Sequence, residues 1–170
     1  MSMEMIVPME VNGVKLSART IAYLDTILWA ETVLLPVTEE ELVDGCMDVD
    51  DKHPLHGIHE QDSLDDHFDI HDFDAESLRV AERDCAAFFA RLEELDLLER
   101  ANEYEDDDQI ARDFWFTRRG SGVGFWDGDY ADADDDIIDV LGTELSDVAT
   151  EFNDQHVWAN DGGKLEIEGQ

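Results

Sequence analysis

The chain has 170 residues, with 45 Asp plus Glu against 11 Lys plus Arg and a formal net charge of −34. Such a charge disfavours direct binding to nucleic acid or to an anionic membrane and favours basic partners. An apolar content of 43% argues for a folded core in a single domain over residues 1–170, and no apolar run approaches the ~18 residues of a membrane span.

Met5–Leu16 reads as an N-terminal hairpin closing residues 1–16, because strand-compatible residues flank Asn12-Gly13, the favoured type I′ turn pair. Pro8 places its first strand at an edge. Ser17 or Thr20 can cap a helix running to about Leu34, with Ile21, Leu24, Ile27, Leu28 and Trp29 among its apolar positions. Residues 37–73 are polar, dense in acid and broken by Gly45, Pro54 and Gly57. They read as a long loop with a short helical turn at Glu39–Val43, and a loop of that length is usually functional or disordered. The best-defined core spans residues 74–170. It opens with a helix from Asp74 or Ser77 to about Arg100, carrying Leu78, Ala81, Cys85, Phe88, Leu92 and Leu95 at spacings of three and four. An acidic linker follows at Glu103–Asp108. Asp113–Asp127, DFWFTRRGSGVGFWD, reads as two aromatic strands around a Gly/Ser turn. A third helix is expected at Asp134–Phe152, and a closing hairpin turns at Asn160–Gly163. The expected class is α+β: an antiparallel sheet built from hairpins and covered by two or three helices, with a long acidic loop.

The acids are unevenly placed. Glu39–Glu76 holds 15 acids and one base, Asp127–Asp154 holds 11 acids and no base, and Phe114–Trp126 holds two arginines and no acid. Two explanations compete. Asp (27) exceeds Glu (18), and three Lys stand against eight Arg, the composition expected of a halophilic protein whose self-repulsion is screened within about 3 Å at 1 M salt. Alternatively the acid is the function, a surface imitating the phosphate ladder of DNA, which presents one charge per ~1.7 Å. Asp65, Asp66, Asp69, Asp134, Asp135 and Asp136 are the candidate acidic surface.

In the expected central hairpin, Trp115 faces Phe125 and Phe114 faces Trp126. Aromatics on both faces mean either a strand pair buried on two sides or an exposed patch. Trp115, Arg118, Arg119, Phe125 and Trp126 are therefore candidate partner-binding residues, although the arginines have ample acids to pair with.

The run DFWFTRRGSGVGFWDGD resembles a segment of small proteins from tailed viruses of bacteria and archaea, where an HDFWLTRNGHGAGFWD-like run follows an acidic helix. HVWANDGGKLEIEG is similar to the VYVGDDGKIY-like hairpin that ends those chains, and LDTILWAET to their YLxxALWSET-like first helix. The likeness covers Ile21–Glu31 and Ala75–Glu168 in pattern. It implies viral origin and a small α+β fold; the family has no established activity. Arg119 and Ser121 replace an Asn and a His of the family-like run, so no turn-histidine role carries over.

Five of six histidines, His53, His56, His59, His67 and His71, lie within nineteen residues and are interleaved with aspartates. Imidazole with carboxylate suits a divalent metal such as Zn²⁺, Mn²⁺ or Fe²⁺, but the HExxH pattern is absent, Pro54 and Gly57 favour irregular loop, and the ordinary reading of the spacing is a solvated loop. No nucleophile elbow, phosphate loop or dinucleotide fingerprint is present. Cys46 and Cys85 do not read as a disulfide pair, and MSMEMIVPME lacks the features of a signal peptide, so an intracellular setting is expected. The expectation is a non-enzymatic, virus-encoded interaction protein in the host cytoplasm, a DNA mimic acting on a basic host factor. The alternatives are a metal-binding protein and a virion structural or assembly component.

Overall fold

The computed structural model describes residues 8–120, 124–125, 140–152 and 154–168. Its first hairpin pairs β1 (Met9–Val11) with β2 (Val14–Leu16) in the register Val11↔Val14. Asn12 and Gly13 both take positive φ, 49° and 81°, as the type I′ turn requires. The Asn12 side-chain amide donates to the carbonyls of His71 and Phe73, each at 2.9 Å, which ties the turn to the body.

Helix α1 (Ala18–Ala30) starts where Ser17 accepts the Thr20 N–H. Its buried face holds Ile21, Tyr23, Leu24 and Ile27. It stops short of the expected Leu34: Glu31 is extended, and residues 31–35 run beside the acidic segment. There Val33 N donates to Asp62 O at 2.8 Å and Leu64 N to Glu31 O at 3.0 Å.

The acidic segment is folded against the core. It comprises a 3₁₀ turn at Glu39–Glu41, a tight hairpin of β3 (Leu42–Val43) with β4 (Cys46–Met47), and 3₁₀ turns at Leu64–Asp66 and Ile70–Asp72. Met47, Leu55, Ile58, Leu64, Phe68 and Phe73 are its buried anchors.

Helix α2 (Ala75–Glu94), capped by Asp74, buries Leu78, Ala81, Cys85, Phe88, Phe89 and Leu92 as its periodicity demands. It ends earlier than expected. Asp96 adopts φ 57°, and its N–H and that of Leu97 bond back to Glu93 O and Leu92 O. This is a Schellman stop with Asp in the position usually held by Gly. Leu95, the last residue of the expected stripe, is consequently exposed, and a short α3 (Leu98–Asn102) follows.

The first half of the expected central hairpin is instead the end of a helix, α4 (Asp107–Arg119), and of its second half only Gly124 and Phe125 are among the described residues. Ile110, Ala111, Phe114, Trp115 and Arg118 recur at helical spacing and are buried. Asp106 caps the N-terminus through Gln109 N at 2.9 Å. Asp107 and Asp108 occupy the first turn, Arg118 and Arg119 the last, and Gly120 closes it at φ 70°. Start, dipole and stop signals all agree, and they outweigh the strand propensity of three consecutive aromatics. Helix α5 (Val140–Ala149) matches the later part of the third expected helix, whose start at Asp134–Asp139 lies outside the described residues. The closing hairpin of β5 (His156–Ala159) with β6 (Leu165–Glu168) is as expected.

The class is thus α+β, with the strands in three separate antiparallel pairs. Helix α1 packs along α4, while α2 meets α1, β2, β6 and α5. An aromatic cluster fills the centre. Phe88 stacks on Phe114 at 4.0 Å, Tyr23 meets Trp115 edge-on at 5.5 Å, and Phe125 lies 5.8 Å from Phe88.

Candidate interaction surface

The acidic segment Glu39–Glu76 presents its charge on ordered turns. Eleven of its 15 acids are exposed and none is buried. Asp65 and Asp66 project from one 3₁₀ turn. Asp69 caps the next, accepting His71 N at 2.8 Å while Asp72 accepts Asp69 N at 2.8 Å. The backbone beneath these carboxylates is held by the buried anchors and by the strand-like contact with residues 31–35. Asp134, Asp135 and Asp136 lie outside the described residues.

The arginines are used elsewhere. Among the described residues seven of the eight form ion pairs: Arg19 with Asp107, Arg79 with Glu76, Arg83 and Arg118 with Asp84, Arg91 with Glu94 and Glu151, Arg100 with Glu144, and Arg119 with Glu31. Among the described residues, Glu76, already on α2, is the one acid of Glu39–Glu76 with an arginine partner. The remainder of that segment relies on two histidine contacts, Asp62 with His67 at 2.6 Å and Asp69 with His71 at 3.4 Å. The His67 hydrogen bond holds the Asp62 carboxyl below the usual carboxylate range.

The candidate partner-binding residues of Phe114–Trp126 sit largely inside the molecule. Trp115 is fully buried and donates its indole N–H to Glu31 at 3.0 Å. Arg118 is buried and bonds Asp84 at 2.8 Å and the Tyr23 hydroxyl at 3.2 Å, with its guanidinium over Phe114 and Phe152. Gln155 completes this network, accepting from Tyr23 at 3.0 Å and donating to Asp84 at 3.3 Å. Burial pushes the Tyr23 phenol far up, with Arg118 opposing the shift, so the hydroxyl stays protonated. Phe125 is buried, with its N–H on Thr117 Oγ1 at 3.1 Å. Trp126 lies outside the described residues. Arg119 alone is partly exposed, gripping Glu31 through Nε and Nη2 at 3.2 and 3.1 Å beside His156. Of the two alternatives for these aromatics, burial or an exposed patch, the described ones Phe114, Trp115 and Phe125 are buried.

The histidines do not converge. His53 Nδ1 accepts from Leu55 N, His59 Nδ1 accepts from Gln61 N, and His56 Nδ1 lies 3.2 Å from Val49 O. Among the described residues no three His, Cys, Asp or Glu side chains are grouped as a metal ion requires. Cys85 is buried on α2, and burial pushes its thiol up, so it is unsuited to nucleophilic work.

Sequence reasoning passed over Asp84, Tyr23, Gln155 and Glu31. Asp84 had a signal, a carboxylate on the same side of α2 as Ala81, Cys85 and Phe88. Reading α4 with helical period would have put Arg118 on a buried face and called for such an acid. No described helix is long and apolar enough to cross a membrane. Comparison with protein-family models, curated proteins and solved structures returns no match.

Proposed function

We propose that this chain is an acidic interaction protein whose segment Glu39–Glu76 occupies a basic, nucleic-acid-binding surface on another protein. A virus-encoded DNA mimic would act on a host factor in this way. The observation that carries the reading is the placement of the ion pairs: among the described residues the arginines pair with acids of the helical body and its flanks, while the exposed acids of the ordered turns have no arginine partner. General adaptation to salt has no need to gather acids into blocks, and Glu39–Glu76, with 15 acids and one base, is the block whose carboxylates stand on described, ordered turns. A mimic does, because it must hold carboxylates on rigid backbone so that they replace phosphates at little entropic cost.

The test is affinity capture from a lysate of the source cells, followed by elution with duplex DNA. The wild-type chain is compared with a variant carrying Asp65→Asn, Asp66→Asn and Asp69→Asn. The expected result is a captured nucleic-acid-binding protein that DNA displaces and that the variant retains poorly. Capture that resists DNA, or that is equal for both chains, overturns the reading.

A further inference from the structure

Outside the acidic segment, the most exposed large apolar side chain among the described residues is Trp29, at 68%. It stands near the end of α1 at the mouth of a cleft of about 500 Å³ between α1 and α4, lined by Asp25, Thr26, Trp29, Gln109, Arg112 and Phe116. Asp25 and Trp29 are one turn apart on α1, and Gln109, Arg112 and Phe116 share one face of α4. The Phe116 ring meets the Trp29 indole edge-on at 6.1 Å, which braces the indole and leaves its exposed surface to solvent.

The lining carries one charge of each sign, Asp25 and Arg112. Asp25 is half-buried, and its carboxyl lies above the usual carboxylate range. Burial is the main cause; Arg112 opposes it and Asp108 adds to it. Asp108, one turn before Arg112, is raised for the same kind of reason, by burial and by its neighbours Asp106 and Asp107. Asp108 lies outside the lining but acts on Asp25, and Arg112 acts on both carboxylates, so the surroundings of the cleft add a second acid to the pair that lines it. Thr26 and Gln109 are already engaged, with Ala22 O and Asp113 respectively.

We propose that this cleft is a docking site for an arginine side chain on the surface of a basic protein partner, stacked on Trp29 and paired with Asp25. A guanidinium meets both features at once: its flat face lies on an indole, and its N–H groups reach a carboxylate. Lysine supplies the charge without the planar face. An apolar segment leaves the Asp25 carboxylate without relief, and a second copy of a chain of charge −34 is repelled. The proposal rests on the partner being basic, as the preceding section infers, and adds a specific anchor to it.

The test uses the full ¹⁵N-labelled chain titrated with N-acetyl-arginine amide, N-acetyl-lysine amide and the neutral isostere N-acetyl-citrulline amide. The Trp29 indole N–H signal is assigned by its loss in Trp29→Phe. The expected result is a saturable shift of that signal with the arginine probe, at least threefold weaker affinity for the lysine probe, and no shift with citrulline. Asp25→Asn should weaken arginine binding at least threefold. Arg112→Gln, which removes the competing cation, should strengthen it at least twofold. An unmoved Trp29 signal, equal response to citrulline or lysine, or unchanged affinity in both variants overturns the proposal. These variants retain every acid of Glu39–Glu76, so the cleft can fail while DNA-displaceable capture persists, and the reverse.

Discussion

The helical body and the acidic segment use the same side chain in opposite ways. Asp84 on α2 is nearly excluded from water and is held by Arg118, Arg83 and Gln155. Asp65 and Asp66, on the 3₁₀ turn at Leu64–Asp66, face solvent with no cation among the described residues within pairing distance. In the low-dielectric interior a carboxylate must be paired and hydrogen-bonded, whereas at the surface it is screened by water and salt. The difference teaches that charge in this chain cannot be read as a single quantity. A buried acid of the body, Asp84, is held by paired cations, and exposed acids such as Asp65 and Asp66 are carried on turns whose stability comes from Leu55, Leu64, Phe68 and Phe73 instead.

The sharpest way to break this contrast is to remove one partner from each region. Arg118→Met leaves Asp84 and Tyr23 buried with an incomplete network and is expected to lower stability by about 3–5 kcal/mol, read by urea unfolding. Neutralising Asp65, Asp66 and Asp69 together is expected to change it by no more than about 0.5 kcal/mol. Comparable losses from both would erase the distinction. A backbone change tests whether the acidic segment is truly ordered. Gly45 has φ 83°, and a Cβ there would collide with the His59 ring. Gly45→Ala should therefore cost about 1–3 kcal/mol, seen as lost amide-exchange protection around β3, β4 and His59, with α1 and α4 unaffected. No change there would mean that the turns are not fixed as described.

How much of this was legible in the sequence depends on the range of the interaction. The Asn12-Gly13 turn, the stripe of α2 and the Asn160–Gly163 turn are local patterns, and each gave its element. Helix α4 was misread because Phe114, Trp115 and Phe116 are consecutive and favour strand; the decisive evidence lay in its flanks, Asp106 and Gly120. The acidic segment looked unstructured because its six buried anchors follow no period and act only once packed on the core. The Arg118 pair with Asp84 becomes legible only once α4 is read with helical period, while Trp115 with Glu31 joins α4 to the extended residue after α1 and carries no local signature. The last pair offers a smaller test. Trp115→Phe keeps the ring in the core but removes the donor to Glu31, and should cost about 1 kcal/mol in the same urea assay.

The smallest expected effect concerns pH in the acidic segment. The Asp62 carboxyl is held low by His67. Its folded pKa therefore lies below its unfolded value, so its contribution to stability is present above about pH 4 and is lost as pH falls through the folded value. His67→Ala should reduce exchange protection near Leu64 at pH 6, with the difference from wild type closing in strong acid. A difference that grows in acid would reverse the assigned sign.

The central claim is that the fold resides in the paired body and does not require the charge of the acidic segment. It is tested most directly by thermal melts across KCl, from near-physiological to molar, of the wild-type chain and the Asp65→Asn, Asp66→Asn, Asp69→Asn variant. The account predicts that both melt cooperatively at ordinary salt with closely similar midpoints throughout the series. If the wild-type chain folds only in molar KCl, and the variant is released from that requirement, the acids of the segment are a burden tolerated in brine and the account is contradicted.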